Sequence, residues 1–121
     1  MEIKVLYVED NPATIKTMEK VLMMLDYTMI SAPDGESGIE TAKNAQPDLI
    51  LMDINLPGIS GIEATQQIKS DPQLAHIPVI AYTAETSSGH QLECRNAGCD
   101  AFIGKPGSIN EIGDTIENLL K

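Results

Sequence analysis

The chain has 121 residues, 42% of them apolar and 21% charged, which suits one globular domain with a real core. A formal net charge of −10 argues against a protein that grips nucleic-acid phosphates, because Lys and Arg supply most of that affinity; cations and basic surfaces suit it better. No apolar run approaches the roughly 18 residues of a membrane helix, and Met1-Glu2-Ile3-Lys4 lacks the basic and apolar regions of a signal peptide, so a cytoplasmic protein with no membrane contact is expected.

Strand and helix patterns alternate along the chain. A short strand is expected from Ile3 to Val8, running directly into Glu9-Asp10. Asn11-Pro12 then offers a helix N-cap followed by proline at the first helical position. Ile15, Met18, Leu22 and Leu25 form one apolar helical stripe. A second strand is expected from Thr28 to Ala32, and a helix from Gly35 to Asn44. Leu49-Ile50-Leu51-Met52 is an unbroken apolar run ended by Asp53 and the Pro57-Gly58 turn, the pattern of a fully buried strand.

A third helix is expected from Gly61 to Ser70, and a fourth strand from Val79 to Tyr82 with Thr83 at its end. The fourth helix, from Ser87 to Ala97, has the faintest pattern, with Gly89 inside it. The last strand, from Ala101 to Ile103, ends near Lys105. Ser108 is placed to cap a final helix with the stripe Ile109, Ile112, Ile116 and Leu119. Pro47, Pro57, Pro72, Pro78 and Pro106 all fall outside these helix interiors.

Five strands alternating with five helices imply an α/β domain with a parallel sheet covered on both faces. Ligands of such sheets gather beyond the carboxyl ends of the strands. If the first and third strands are parallel, Glu9, Asp10 and Asp53 meet at one edge, with Thr83 and Lys105 arriving from the fourth and fifth. Alone, an acid after a strand is a helix cap or a solvated loop residue. Together they repel: two unit charges about 4 Å apart cost about 4 kcal/mol at an effective dielectric of about 20. A bound cation plus Lys105 would compensate, and a few hard oxygen ligands suit Mg²⁺, which keeps waters and shares its sphere with phosphate. A carboxylate beside Mg²⁺, a lysine and a hydroxyl can attack phosphorus and form an aspartyl phosphate.

These residues resemble the receiver domains of two-component response regulators. Four pieces carry the likeness, in order and spacing: VEDN (8–11), DLILMDINLPGISG (48–61), YTA (82–84) and GKP (104–106). The likeness spans residues 1–121 as one receiver domain, and its phrasing is similar to stand-alone receivers of the chemotaxis and cell-cycle kind. It implies a flavodoxin-like, doubly wound (βα)5 fold with strand order 2-1-3-4-5. It further implies Asp53 as phosphoacceptor; Asp10 and Asp53 as Mg²⁺ ligands, with Glu9 acting largely through a bound water; and Asn55 offering its backbone carbonyl. Lys105 would pair with the phosphoryl group, Thr83 would donate its hydroxyl, small Ala84 would let its backbone N–H reach an oxygen, and Lys105-Pro106 would be cis. The phosphoryl group would come from a histidine kinase or a histidine phosphotransfer protein. The family's switch pairs the Thr83 position with Phe102, and it alters a face built from the fourth helix, fifth strand and fifth helix that a downstream protein reads. Phe102 has no ring hydroxyl for such a partner, and a plain core role is the other reading of it. Gly104 and Gly107 around Lys105-Pro106 are expected to loosen that loop.

Two other functions compete. A turnover phosphatase with an aspartyl nucleophile would carry a second acid two residues on, where this chain has Asn55, so the domain is expected not to be an enzyme beyond its own phosphorylation and dephosphorylation. A degenerate receiver would serve as a phosphorylation-independent scaffold, but Glu9, Asp10, Asp53, Thr83 and Lys105 are all present. A receiver cut from a larger regulator or hybrid kinase fits the same residues. His76 and His90 are expected as solvated loop residues, Cys94 and Cys99 as reduced, partly buried thiols. Met18, Met23, Met24 and Met29 read as core filler and surface, and Tyr82 as core, with packing against the fourth helix as its other reading.

Overall fold

The computed structural model describes residues 2–121. Its five strands are β1 (Lys4–Val8), β2 (Thr28–Ala32), β3 (Leu49–Met52), β4 (Val79–Thr83) and β5 (Ala101–Gly104). They form one sheet in the order β2-β1-β3-β4-β5, every pair parallel, which is the flavodoxin-like arrangement expected. The helices between and after them are α1 (Pro12–Met24), α2 (Gly35–Ala45), α3 (Gly61–Ser70), α4 (Ser88–Ala97) and α5 (Ile109–Leu119).

The central strands are apolar on both sides because both sides are covered. Val5, Tyr7, Leu49, Leu51, Ile80 and Tyr82 point to one face, where Met18 and Leu22 of α1 and Ile112 and Ile116 of α5 meet them. The alternate residues Leu6, Val8, Ile50, Met52 and Val79 point to the other, against Ala42 of α2 and Ala64 and Ile68 of α3. Cys94 of α4 packs with Ala81 and Ile54 on that second face. The edge strand β2 is different: Thr28 and Ser31 are exposed at the sheet margin.

Side-chain oxygens cap all five helices. Asn11, Asp34, Ser60, Ser87 and Ser108 each accept a backbone N–H from the first turn. Only Asn11 and Ser108 stand out in the sequence. α4 ends in a Schellman turn: Gly98, at φ +111°, donates to Arg95 O, and Cys99 N–H donates to Cys94 O.

Several boundaries shift. β1 begins at Lys4 rather than Ile3, α2 reaches Ala45, and Ser87 caps α4 rather than opening it. β4 continues through Thr83 and β5 through Gly104, because those two residues pair with each other. Tyr82 is core, but it packs on the α1 and α5 side, since its neighbour Ala81 faces α4. His90 lies in the first turn of α4, not in a loop, where Ser87 Oγ stands 2.6 Å from its Nδ1. His76 is an exposed turn residue as expected. Among the described residues no helix is long and apolar enough to cross a membrane.

The β3–α3 connection turns at Pro57-Gly58, where Gly58 takes φ +78°, the left-handed geometry that glycine accepts at no steric cost. It then closes tightly at Gly61, whose N–H donates to Ile54 O at 2.9 Å. A Cβ at Gly61 would collide with the Asp53 carbonyl oxygen and stand 2.9 Å from the Ile54 Cα. Gly61→Ala is therefore expected to cost about 1–3 kcal/mol, the range for overpacking a rigid site, seen as a lower urea midpoint. An unchanged midpoint would show that this connection yields.

Candidate functional site

Parallel pairing builds the site. Val8 pairs with Met52, so the next residues, Glu9 and Asp53, leave the sheet side by side. Two backbone bonds hold them there: Asp53 N–H donates to Val8 O at 3.2 Å, and Glu9 N–H donates to Ala32 O at 3.0 Å. At the other side Thr83 pairs with Gly104, and Lys105 N–H donates to Thr83 O at 2.9 Å, which sets the lysine next to the end of β4. The Lys105–Pro106 bond is cis.

Oxygens of Glu9, Asp10 and Asp53 all lie within 4.8 Å of one another. Glu9 and Asp53 are buried, at 2% and 6% exposure, while Asp10 stands exposed at the mouth. Lys105 Nζ donates to Asp53 Oδ2 at 3.0 Å and to Glu9 Oε1. The same Glu9 Oε1 accepts the Tyr7 hydroxyl at 3.1 Å, and Glu9 Oε2 accepts Asn11 N–H at 3.2 Å. Asp53 Oδ1 accepts Asn55 N–H at 3.3 Å, and the Asn55 side chain donates to Glu85 Oε1 at 3.0 Å. Thr83 is fully buried, and its Oγ1 accepts Glu85 N–H at 3.2 Å; Ala84 follows it, exposed at the start of the loop to α4.

Charge and burial divide the two buried acids. Burial acts to raise the Glu9 carboxyl, but the hydrogen bonds from Lys105 and Asn11 N–H hold it below the usual glutamate range. Burial carries Asp53 above the usual aspartate range against the pull of Lys105, with the Glu9 charge adding to the rise. Burial would lower Lys105, yet hydrogen bonds to both acids keep its ammonium above the usual lysine range. The arrangement is thus two carboxylates around one cation, with a third carboxylate at the opening. Three hard oxygen donors crowded beyond what one ammonium neutralises fit a small divalent cation such as Mg²⁺.

The structure brings Glu9, Asp10, Asn55, Asp53, Thr83 and Lys105 together, as their positions at strand ends imply. Phe102 is separate. It pairs with Ala81, packs half-buried against the cluster of Ile54, Ala81 and Cys94, and lines a cavity of about 200 Å³ with Gln91 and Arg95 of α4. It is neither simple core nor in the site. The thiols are free as expected: Cys94 is buried, and burial pushes Cys99 up to about 12, out of the reactive range.

Two aromatic neighbours of the site, Tyr82 inside YTA and Tyr7 outside the four motif pieces, have no site role assigned from the sequence. The Tyr82 ring lies under Lys105, with Nζ 5.7 Å from its centroid, and its hydroxyl accepts Gly107 N–H at 3.1 Å. Tyr7 reaches Glu9 because residues two apart on an extended backbone share a side. That spacing was the available signal, hidden by the apolar look of the strand.

This sheet, with its acids and lysine at the carboxyl edge, is the architecture of a phosphorelay receiver. The chain belongs to the family of response regulator receiver domains, whose model matches residues 5–117, and it is a module of two-component signalling. Among its relatives, the polar-differentiation response regulators DivK of Brucella anthropi and Brucella abortus are each 40% identical over 116 residues, covering 96% of this chain and 94% of theirs. The receiver domain of a sensor histidine kinase from Pseudomonas aeruginosa PAO1, solved with a magnesium ion coordinated in its active-site cleft, is 30% identical; the match covers 99% of this chain and 98% of that one, with a TM-score of 0.92. The chemotaxis protein CheY4 of Vibrio cholerae is 26% identical, covering 99% of this chain and 100% of its own, with a TM-score of 0.91.

Lys105 bears on stability as well as chemistry. Its side chain is 19% exposed while the acids it joins are nearly sealed. Lys105→Met, without divalent cation, is expected to cost about 3 kcal/mol at neutral pH, the low end for breaking a buried ion pair. Glu9 and Asp53 would then both bind protons more tightly folded than unfolded. Stability of the variant should therefore rise as pH falls from neutral to about pH 5, measured by urea titration; a loss that does not shrink with acid would refute this balance.

Proposed function

We propose that Asp53 is the phosphoacceptor of a phosphorelay, taking its phosphoryl group from the phosphohistidine of a histidine kinase or a histidine phosphotransfer protein. The observation that carries the reading is the convergence of Glu9, Asp10 and Asp53 on Lys105 at one sheet edge. An Asp53 oxygen attacks phosphorus, the phosphorus–nitrogen bond of the ring-protonated phosphohistidine breaks, and the donor leaves as neutral imidazole, keeping the proton on its other nitrogen, while an acyl phosphate forms. β3 holds that carboxylate with little freedom, so the attack starts from a fixed position.

Glu9, Asp10, Asp53 and the Asn55 backbone carbonyl would hold Mg²⁺, which when bound would neutralise charge on the phosphoryl oxygens. Lys105 exchanges its hydrogen bond with Asp53 for one with a phosphoryl oxygen. The Thr83 hydroxyl and the Ala84 N–H supply further donors. Thr83 and Ala81 share a side of β4, and Ala81 is paired with Phe102. A shift of Thr83 toward the phosphoryl group therefore frees space on the side where Phe102 packs, and the α4-β5-α5 face changes for a downstream protein partner.

Catalysis stops at self-phosphorylation and hydrolysis, since Asn55 stands where a phosphatase would need a second acid. The complete set of acids, hydroxyl and lysine supports a switch over a passive scaffold. The net charge of −10 gives no support to direct nucleic-acid binding.

Incubation with acetyl phosphate or beryllofluoride is expected to label or complex the protein only when Mg²⁺ is present, and Asp53→Asn to abolish uptake. Mass spectrometry of the intact protein reads both. Full labelling of Asp53→Asn would remove the assignment, and rapid turnover of small phosphate esters would favour an enzyme instead.

A further inference from the structure

We infer that Tyr7 is a positioning residue of the acidic site, its phenol hydroxyl holding Glu9 in place for a divalent cation. The inference rests on the phosphoacceptor reading above. Tyr7 is fully buried in the core between the sheet and the α1 and α5 helices, where Met18 and Leu22 pack in the same cluster. Tyr82 tilts against it, with ring centroids 6.1 Å apart and planes at 54°. The ring is thus wedged, and its hydroxyl emerges from the apolar core at one point only, 3.1 Å from Glu9 Oε1. A phenylalanine would fill the same space. A buried hydroxyl carries a desolvation cost that is recovered only through a hydrogen bond, and here the bond is to a site carboxylate.

The arrangement of donors on Glu9 shows what the hydroxyl adds. Oε1 accepts both Tyr7 and Lys105, and Oε2 accepts Asn11 N–H. Lys105 is the donor that must turn toward a phosphoryl group on Asp53. Tyr7 and Asn11 are the donors that stay, because β1 and the start of α1 fix them. With Lys105 gone, Asn11 alone would leave the carboxylate free to rotate about its own bond. The hydroxyl on the opposite oxygen prevents that and keeps Glu9 facing Asp10 and Asp53. Groups that orient a ligating side chain in this way typically change metal affinity by about 10- to 100-fold when removed.

The test is calorimetric titration of the intact chain with Mg²⁺ alone. Tyr7→Phe is expected to bind about 10-fold more weakly than the unaltered protein. In a Glu9→Gln background the same change should add no further loss, because the hydroxyl acts through that carboxylate. A spectroscopic reading guards against a variant that fails to fold: Mg²⁺ should perturb the tyrosine ultraviolet absorption of the unaltered protein, and Glu9→Gln should remove the perturbation. Equal Mg²⁺ affinity in Tyr7→Phe, an undiminished loss in the Glu9→Gln background, or no tyrosine perturbation would overturn the positioning role while leaving the phosphoacceptor reading intact. Failure of the unaltered protein to bind Mg²⁺ at all would overturn both.

Discussion

Repulsion between buried carboxylates governs this molecule. Glu9 and Asp53 are almost sealed from water, and Asp10 lies within reach of both. In a low-dielectric edge such a cluster exists only with positive charge among its members. Lys105 supplies it, and the lysine arrives from a strand two places away in the sheet from β3. The ion pairs therefore tie the first, third and fifth strands together at one end, and in the proposed phosphotransfer the same ammonium would be lent to a phosphoryl oxygen.

Strand register makes this geometry inescapable. The sheet's carboxyl edge is a line along which each strand delivers its next residue, and pairing decides the neighbour of each. Val8 opposite Met52 makes neighbours of Glu9 and Asp53, and Thr83 opposite Gly104 makes neighbours of Thr83 and Lys105. A slip of one residue in either pair would turn the side chains to the other face. The apolar fill on both faces penalises that slip, so core packing and site geometry enforce each other. Gly61 adds a local lock, closing the α3 start onto the Asp53 backbone with no room for a side chain.

The two sides of the sheet have separate relations to the site. Tyr7 and Tyr82 approach it from the α1 and α5 side, one bonded to Glu9 and the other beneath Lys105. Thr83 and Phe102 belong to the side of α4, where a cavity of about 200 Å³ next to Phe102 leaves room for rearrangement. A larger cavity of about 380 Å³, lined by Met18, Tyr82, Lys105 and Ile112, opens on the first side, so both sides hold space that can take up a change at the site. Packed cores respond to such a change by discrete repacking rather than by gradual deformation.

Much of this was legible in the chain itself. Short apolar runs ended by acids, the Asn11-Pro12 start and the Pro57-Gly58 turn located strands, helices and the residues that end up at the site, because period and turn chemistry are local properties. The caps at Asp34, Ser60 and Ser87 were less visible, since such residues are also common in loops. The extension of β4 to Thr83 and β5 to Gly104 depended on pairing between segments about 20 residues apart, which no window of sequence contains. Tyr82 could be read as core, but its side, expected toward the fourth helix, is that of α1 and α5, because facing follows from which helices cover each side. Tyr7 looked like one more apolar strand residue until the fold set its hydroxyl against Glu9 and brought Lys105 to the same oxygen. Residue type and spacing determined which groups reach the sheet's edge; only the tertiary structure decided which oxygen faces which donor, because those contacts are set by strand order and register across the whole chain.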